Sequence, residues 1–247
     1  MRLAPTAPGQ ESEPSPGHLR WLRRADQERS VPLLVSLLIL LATGAWLTER
    51  FEGLAIFELL LTLVMLSSVR QLSASRRQAL VGVLLAIPTI TCLWLRKLVP
   101  APGLSDVALG LLILFLLYTT ATILLHIFRS KHITIDTLSE ALSVYLLMGI
   151  AWGYIYGLIY LQAPGAFHLP EQARPTLESG ITGDVPLDVL IYFSFVTLAT
   201  LGYGDVSPIA SSARAMVMLE AVLGQFYVAV LVARLVGLNL TDSRRET

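Results

Sequence analysis

Six long apolar runs occupy most of this chain, and each is close to the length that a helix needs to cross a lipid bilayer. A spanning helix requires about 20 mostly apolar residues, because the hydrocarbon core is about 30 Å thick. The composition also excludes an ordinary water-soluble globule, since 54% of the residues are hydrophobic and only 15% are charged. We therefore predict an all-α membrane protein with six transmembrane helices. The runs are 31–48, 53–69, 78–95, 107–128, 138–161 and 213–238.

The Lys and Arg residues orient these helices, because cytoplasmic loops carry the excess of positive charge in membrane proteins. With the N-terminus inside, thirteen of the 18 Lys and Arg residues lie on the cytoplasmic side and five lie outside. This distribution predicts a multi-pass protein with both termini in the cytoplasm and with residues 162–212 outside.

Both ends of the chain are expected to be cytoplasmic tails. Residues 1–30 are rich in Pro, Gly, Ser and Glu and are predicted to be disordered, and residues 239–247 form a short second tail. An alternative interpretation takes residues 31–41 as the core of a signal peptide that is cleaved after Gly44 or Ala45. Such cleavage would leave the remaining topology unchanged.

A seventh apolar stretch, 185–201, is too short for a comfortable span and runs into a loop that is rich in glycine. Pro186 with Asp184 and Asp188 suits the start of a helix. After about three helical turns the chain reads Thr-Leu-Gly-Tyr-Gly-Asp at residues 200–205. Irregular backbone persists at membrane depth only where it is buried in protein or lines a wet cavity. We therefore predict a re-entrant helix followed by such a loop.

The loop has the residues that are needed to hold a dehydrated cation. Gly202 and Gly204 permit left-handed backbone dihedrals, so their alternation with Leu201 and Tyr203 can turn successive carbonyls toward one axis. Rings of carbonyls replace the water shell of such an ion, and the Thr200 hydroxyl can add the innermost ring. One loop supplies only a quarter of each ring. The chain is therefore predicted to form a homotetramer with its pore on the symmetry axis.

Residues 200–205 resemble the selectivity-filter signature of potassium channels, Thr-Val-Gly-Tyr-Gly-Asp, with Leu201 in place of Val. The order of outer helix, pore helix, filter and inner helix is also similar. The resemblance implies the tetrameric potassium-channel pore fold at 137–238, after a four-helix transmembrane domain at 31–128. It also implies a location in the plasma membrane.

The resemblance implies a channel that conducts K⁺ passively and selectively, with K⁺ as the transported ion and no cofactor. In such a filter, K⁺ is held by the carbonyls of Thr200, Leu201, Gly202 and Tyr203, with Gly204 shaping the mouth and Asp205 adding negative charge outside. Two alternatives stay open. One is a weakly selective cation channel, and the other is a non-conducting membrane receptor or accessory protein that keeps the pore fold as a scaffold.

Other classes of function find less support in the sequence. The 18 acidic residues balance the 18 basic ones, so membrane lipid is an expected partner and nucleic acid is not. The sequence shows no catalytic triad, P-loop or zincin motif, and its four histidines lack metal-ligand spacing, so an enzyme is not expected. A regulatory partner is left open.

The chain departs from the usual filter surroundings at several positions. Many members of the family have a second Thr where this chain has Ala199, and some have a pore-helix Glu where it has Val196. Phe193 carries no donor for the filter Tyr, although Tyr192 can still donate to Asp205. These departures bear on the stability of the filter more than on its selectivity.

Glu220 is an acidic residue in the outer half of the last span, and an intramembrane carboxyl group is a functional hypothesis in its own right. We expect Glu220 to point behind the filter and to accept hydrogen bonds from backbone or hydroxyl donors there. The alternative is that it faces a hydrated crevice or pairs with a basic group.

Glycines in the fifth and sixth predicted spans lead to two further predictions. Gly224 matches the hinge glycine of the inner helix in similar channels, and plain small-residue packing is the alternative. A row of glycines on one face of the fifth span is predicted to pack closely, with the last span as the expected neighbour. This row is Gly149, Gly153 and Gly157.

The fourth span lacks the charges of a voltage sensor. No Arg or Lys lies between Leu104 and Phe128, and only Arg129 and Lys131 follow at its inner end. Because steep voltage gating needs several charges that move through the field, that mechanism is not expected. The first four spans are then a packing collar, a layer that senses lipid or tension, or a docking surface.

Overall fold

The computed structural model describes residues 30–50, 54–73, 75–99, 103–130, 134–171 and 185–243. These residues form seven helices and two very short strands. In chain order they are α1 (Val31–Arg50), α2 (Leu54–Leu72), α3 (Arg76–Leu98), α4 (Leu104–Arg129), α5 (Ile135–Gln162), β1 (Phe167–His168), α6 (Leu187–Leu198), β2 (Ser207–Pro208) and α7 (Ser211–Ser243). Apart from Ser30, the predicted N-terminal tail lies outside the described residues, as do residues 244–247 of the C-terminal tail.

Four of the helices in the described part of the chain are long and apolar enough to cross a membrane. They cover Arg76–Arg96, Leu104–Arg129, Ile135–Gln162 and Ser211–Arg234. The protein is therefore helical and membrane-embedded. The described side chains of α1 form an apolar helix over Val31–Thr43, and the count of six spans stays a prediction. Helix α7 continues to Ser243, five residues past the predicted boundary at 238.

The first four helices pack in sequence order, α1 on α2, α2 on α3 and α3 on α4. Short connections explain this arrangement, because they leave consecutive helices as antiparallel neighbours. Leu37, Met65, Leu112 and Phe115 are fully buried in their shared core. Helices α1 and α4 also contact α5, so the first four helices lie against α5 of the same chain.

Two charged side chains of this domain pair with each other. Arg96 Nη2 of α3 lies 2.7 Å from Glu58 Oε1 of α2. Glu58 is buried, and a carboxylate in that position is strongly unfavourable unless it is paired. The pair therefore explains how α2 keeps an acidic residue within an otherwise apolar stretch.

The glycine row of α5 lies against α6. A Cβ atom at Gly149 would lie 2.5 Å from Phe195 Cζ, and one at Gly153 would lie 2.7 Å from the backbone Cα of Ile191. At Gly157 it would lie 2.6 Å from a methyl group of Leu187. The predicted close packing is present, but the expected neighbour was wrong. The neighbour is the short helix α6 rather than the last span, because α6 occupies the space that side chains at these three positions would fill.

Contacts between distant segments lie at both ends of the helical bundle. At one end, β1 pairs antiparallel with β2, which joins the chain after α5 to the chain after the glycine-rich loop. At the other end, Arg234 Nη2 of α7 donates to the carbonyl of Ser130, 2.5 Å away, at the end of α4. A cation is favourable there, because helix carbonyls make that end negative. Within the pore domain, the Tyr227 hydroxyl of α7 donates to the Ala141 carbonyl of α5 at 2.5 Å.

Candidate functional site

The loop at residues 199–205 begins where α6 ends, and its first backbone amides cap that helix. The N–H of Thr200 donates to the Thr197 carbonyl at 3.0 Å, and the N–H of Leu201 donates to the Val196 carbonyl at 2.9 Å. These bonds satisfy carbonyls that a helix otherwise leaves free at its C-terminus. The loop therefore leaves α6 with a set direction, at the negative end of the helix dipole.

Left-handed backbone recurs at every second residue of the loop. The φ angles are 58° at Thr200, 59° at Gly202 and 80° at Gly204. Thr200 is the only residue other than glycine with positive φ in the described part of the chain. A β-branched residue in this region costs about 1–2 kcal/mol, so the surroundings must hold it there. Positive φ at Gly202 and Gly204 agrees with the left-handed backbone expected from the sequence, and the ring of carbonyls stays a prediction.

The loop is uncovered in the single chain. Residues 199–205 are all exposed, and the side chains of Leu201 and Tyr203 are 54% and 66% exposed. Large side chains with this much free surface need partners that this copy of the chain does not provide. The loop thus has the form of one segment of a larger site.

A hydrogen bond attaches the outer end of the loop to α6. The Tyr192 hydroxyl donates to Asp205 Oδ2 at 2.9 Å. The other carboxylate oxygen, Asp205 Oδ1, accepts the N–H of Val206 at 3.0 Å. The contact that the sequence suggested for Tyr192 is therefore present, and it joins the middle of α6 to the end of the loop.

Glu220 is fully buried behind the loop, where it joins three helices. The hydroxyl groups of Tyr156 on α5 and Ser194 on α6 both make short hydrogen bonds to its carboxyl oxygens. Ser194 Oγ also lies 2.8 Å from the carbonyl oxygen of Gly149. Among the described residues, the contacts of the Glu220 side chain are therefore hydroxyl groups rather than a basic group. Hydroxyl donors were expected from the sequence, and the role of Glu220 in supporting the filter stays a prediction.

The number of protons in this network favours a neutral Glu220. The Ser194 hydroxyl has one proton but two neighbouring acceptors, the Gly149 carbonyl and the Glu220 carboxyl group. A protonated Glu220 that donates to Ser194 Oγ, while Ser194 donates to Gly149, satisfies both contacts.

Tyr156 and Ser194 are the residues of this site that the sequence analysis missed. The Tyr156 ring belongs to an aromatic cluster in which its centroid lies 5.5 Å from that of Phe193 and 5.4 Å from that of Phe167. Phe193 of α6, which has no donor for Tyr203, thus packs against the rings of Tyr156 and Phe167. The one available signal for Ser194 was a hydroxyl between two phenylalanines in an apolar helix.

Gly224 of α7 lies beside the end of α6. A Cβ atom there would lie 2.6 Å from a methyl group of Leu198, the last residue of α6. This contact supports the packing alternative for Gly224. The hinge hypothesis stays a prediction.

Comparison with known proteins agrees with this architecture. Residues 142–239 match the family model described as "Ion channel", a region that holds most of α5, all of α6 and the loop, and most of α7. A 57-residue segment is 39% identical to the voltage-gated potassium channel Kch of Escherichia coli (strain K12). That match covers 23% of this chain and only 12% of the length of Kch. No solved structure matches significantly.

Proposed function

We propose that the protein conducts K⁺ passively and selectively across the plasma membrane, because residues 142–239 match an ion-channel family model and a 57-residue segment is similar to the potassium channel Kch. One observation carries the proposal. Left-handed backbone at Thr200, Gly202 and Gly204 alternates along the sequence Thr-Leu-Gly-Tyr-Gly-Asp, which is the geometry that a ring of carbonyls requires.

In the proposed filter, dehydrated K⁺ is coordinated by the carbonyl oxygens of residues 200–203. The C-terminus of α6 directs its partial negative charge toward the same region, and Asp205 adds negative charge at the outer mouth. Such a filter selects K⁺ because its oxygens replace the water that the ion gives up.

The proposed channel is a homotetramer, since each chain supplies one quarter of the filter. Exposed side chains support this assembly. Leu201 and Tyr203 are uncovered in the single chain, and α7 presents an exposed apolar face that can meet neighbouring copies, the pore or lipid. Part of this face is Met218, Leu219, Val222 and Phe226. The proposed topology has six spans, both termini in the cytoplasm and the filter mouth outside.

Ion flux into liposomes tests the proposed function directly. Purified full-length protein is reconstituted with a K⁺ gradient, and a proton ionophore with a pH-sensitive dye reports charge movement. We expect flux with K⁺ and none with an equal Na⁺ gradient. Equal K⁺ and Na⁺ fluxes would instead identify the weakly selective channel, and no flux above protein-free liposomes would favour the non-conducting scaffold.

Gly224→Ala tests the proposed hinge in α7. If bending at Gly224 opens the pore, the added methyl group should lower the open probability in single-channel recordings and leave the ratio of K⁺ to Na⁺ permeability unchanged. Gly110→Ala is the control, because Gly110 lies in α4 with no atom within 4 Å of its added Cβ atom. A changed permeability ratio at constant open probability would contradict the hinge and implicate the contact with Leu198.

A further inference from the structure

A polar cavity of about 180 Å³ lies at the end of the helical bundle opposite the filter loop. It forms where α1, α3 and α5 begin and where α2 and α4 end, and Gln71, His126, Asp136 and Glu140 line it together with Ser30. The other end of α5 leads into the β1–β2 pairing beside the filter loop. In the proposed topology, the cavity therefore faces the cytoplasm.

Two carboxylates supply most of the polarity of this cavity. Glu140 Oε2 lies 2.9 Å from His126 Nδ1, and Glu140 Oε1 lies 3.3 Å from the Ser30 hydroxyl, which donates to it. Asp136 Oδ1 accepts the N–H of Ser30 at 2.9 Å. These bonds join α1, α4 and α5 around the cavity, and they hold both carboxylates in place without neutralising both charges.

The described residues that line the cavity carry more negative than positive charge. None of the described residues that line it is Lys or Arg, so His126 is the one side chain there that can offset Asp136 and Glu140. Even a protonated His126 leaves one negative charge in excess. The His126 side chain is 64% exposed, which leaves this wall of the cavity open to solvent. A cation can therefore approach the cavity past His126.

Gln71 contributes an acceptor that no described protein group uses. Its Nε2 atom donates to Ser30 Oγ at 3.0 Å and faces Glu140 Oε1 at 3.4 Å, so two acceptors determine the orientation of the amide. Gln71 is 8% exposed, and its Oε1 atom has no hydrogen-bond partner in the described part of the chain. A buried acceptor without a donor is unfavourable, and a ligand with donors removes that cost.

We propose that this cavity binds a small organic cation through a primary ammonium group. An ammonium group carries three donors and no acceptor, which matches acceptors on Gln71, Asp136 and Glu140. Its hydrogen bonds to carboxylates are charge-assisted and therefore strong. A cavity of 180 Å³ has room for a short alkyl chain besides the head group, since one water takes up about 30 Å³ in the liquid.

A metal ion fits the cavity less well. The described residues contain no group of three or more His, Cys, Asp or Glu side chains arranged to hold a metal. Divalent ions such as Mg²⁺ need several oxygen ligands at short, nearly fixed distances. The ammonium group tolerates the wider spacing of acceptors that come from different helices.

Calorimetric titration of the purified full-length protein with n-butylammonium tests the proposal. We expect saturable binding, with Asp136→Asn and Glu140→Gln each weakening the affinity about tenfold by removing one charge-assisted contact. Asp106→Asn is the matched control, because Asp106 is exposed in the first turn of α4 and does not line the cavity, and its affinity should equal that of the wild type. The neutral analogue n-butanol should not bind measurably.

Several outcomes would overturn the proposal. Equal affinity in all four proteins would place the amine elsewhere, for example in the pore, and tighter binding of Mg²⁺ than of the amine would identify a metal site. Asp136→Asn keeps an oxygen for the Ser30 N–H, so this variant should keep the wild-type unfolding temperature and remain informative if Glu140→Gln fails to fold. Binding is read without ion flux, so this result and the test of K⁺ conduction are independent.

Discussion

Gly202→Ala should reduce K⁺ flux at least about tenfold in reconstituted liposomes. Gly202 has a φ angle of 59°, where a residue with a Cβ atom costs about 1–2 kcal/mol, and 1.4 kcal/mol corresponds to a factor of ten. The cost recurs in each of the four proposed subunits. Beyond its two chain neighbours, no atom of the described residues lies within 4 Å of the added Cβ atom, so we attribute the effect to the backbone conformation rather than to a clash.

The control for this experiment is Gly110→Ala. Gly110 also has free space around its added Cβ atom, but it lies in α4 with an ordinary helical backbone. Its flux should equal that of the wild type. Flux of both proteins is compared at equal amounts of folded protein. If Gly202→Ala then has the K⁺ flux and K⁺ selectivity of the wild type, the loop does not depend on left-handed backbone at this position.

Glu220→Leu should lower both the unfolding temperature and the K⁺ selectivity of the protein. The substitution leaves the Tyr156 hydroxyl without its acceptor, and an unsatisfied buried hydroxyl costs about 1–3 kcal/mol. It also removes the link between α7 and Ser194 on α6, the helix that carries the loop. The measurements are thermal unfolding of the purified protein and the ratio of K⁺ to Na⁺ flux.

Glu220→Gln distinguishes a neutral carboxyl group from a charged one at the same position. An amide can donate to Ser194 Oγ and accept from Tyr156, so it reproduces the hydrogen bonds of a protonated Glu220. We therefore expect this variant to stay close to the wild type in unfolding temperature and selectivity. Equal damage from Gln and Leu would show that the charge is required, and wild-type behaviour of Glu220→Leu would exclude a role in supporting the filter.

Kch is a voltage-gated channel, but this chain lacks the charges for a voltage sensor in the expected place. Helix α4 contains no Lys or Arg before its last residue, Arg129. Its inner end instead contacts α7 through Arg234, which donates to Ser130 and lies over the Phe128 ring at 5.6 Å from the centroid. These contacts connect the four-helix domain to the inner end of α7 without a row of charges.

Periodicity and hydropathy predicted the elements of this fold, because the bilayer imposes length and apolarity on each helix separately. The re-entrant helix at Leu187–Leu198 and the loop after it could be predicted in the same way, since short length, glycine and proline are local properties. The hydrogen bond between Tyr192 and Asp205 could also be predicted from the sequence, because both residues belong to one short stretch of chain.

Contacts between distant segments could not be predicted in this way. The sequence indicated that the row beginning at Gly149 packs closely, but two later helices were available to cover it, and only the tertiary structure shows that α6 does so. The same holds for Glu220, whose partner Tyr156 lies 64 residues earlier. Composition and local pattern thus determined which segments are helical and which loop has the residues of a filter. The assignment of buried polar groups to partners depended on tertiary packing, because hydrogen bonds across helices require a spatial proximity that no local pattern encodes.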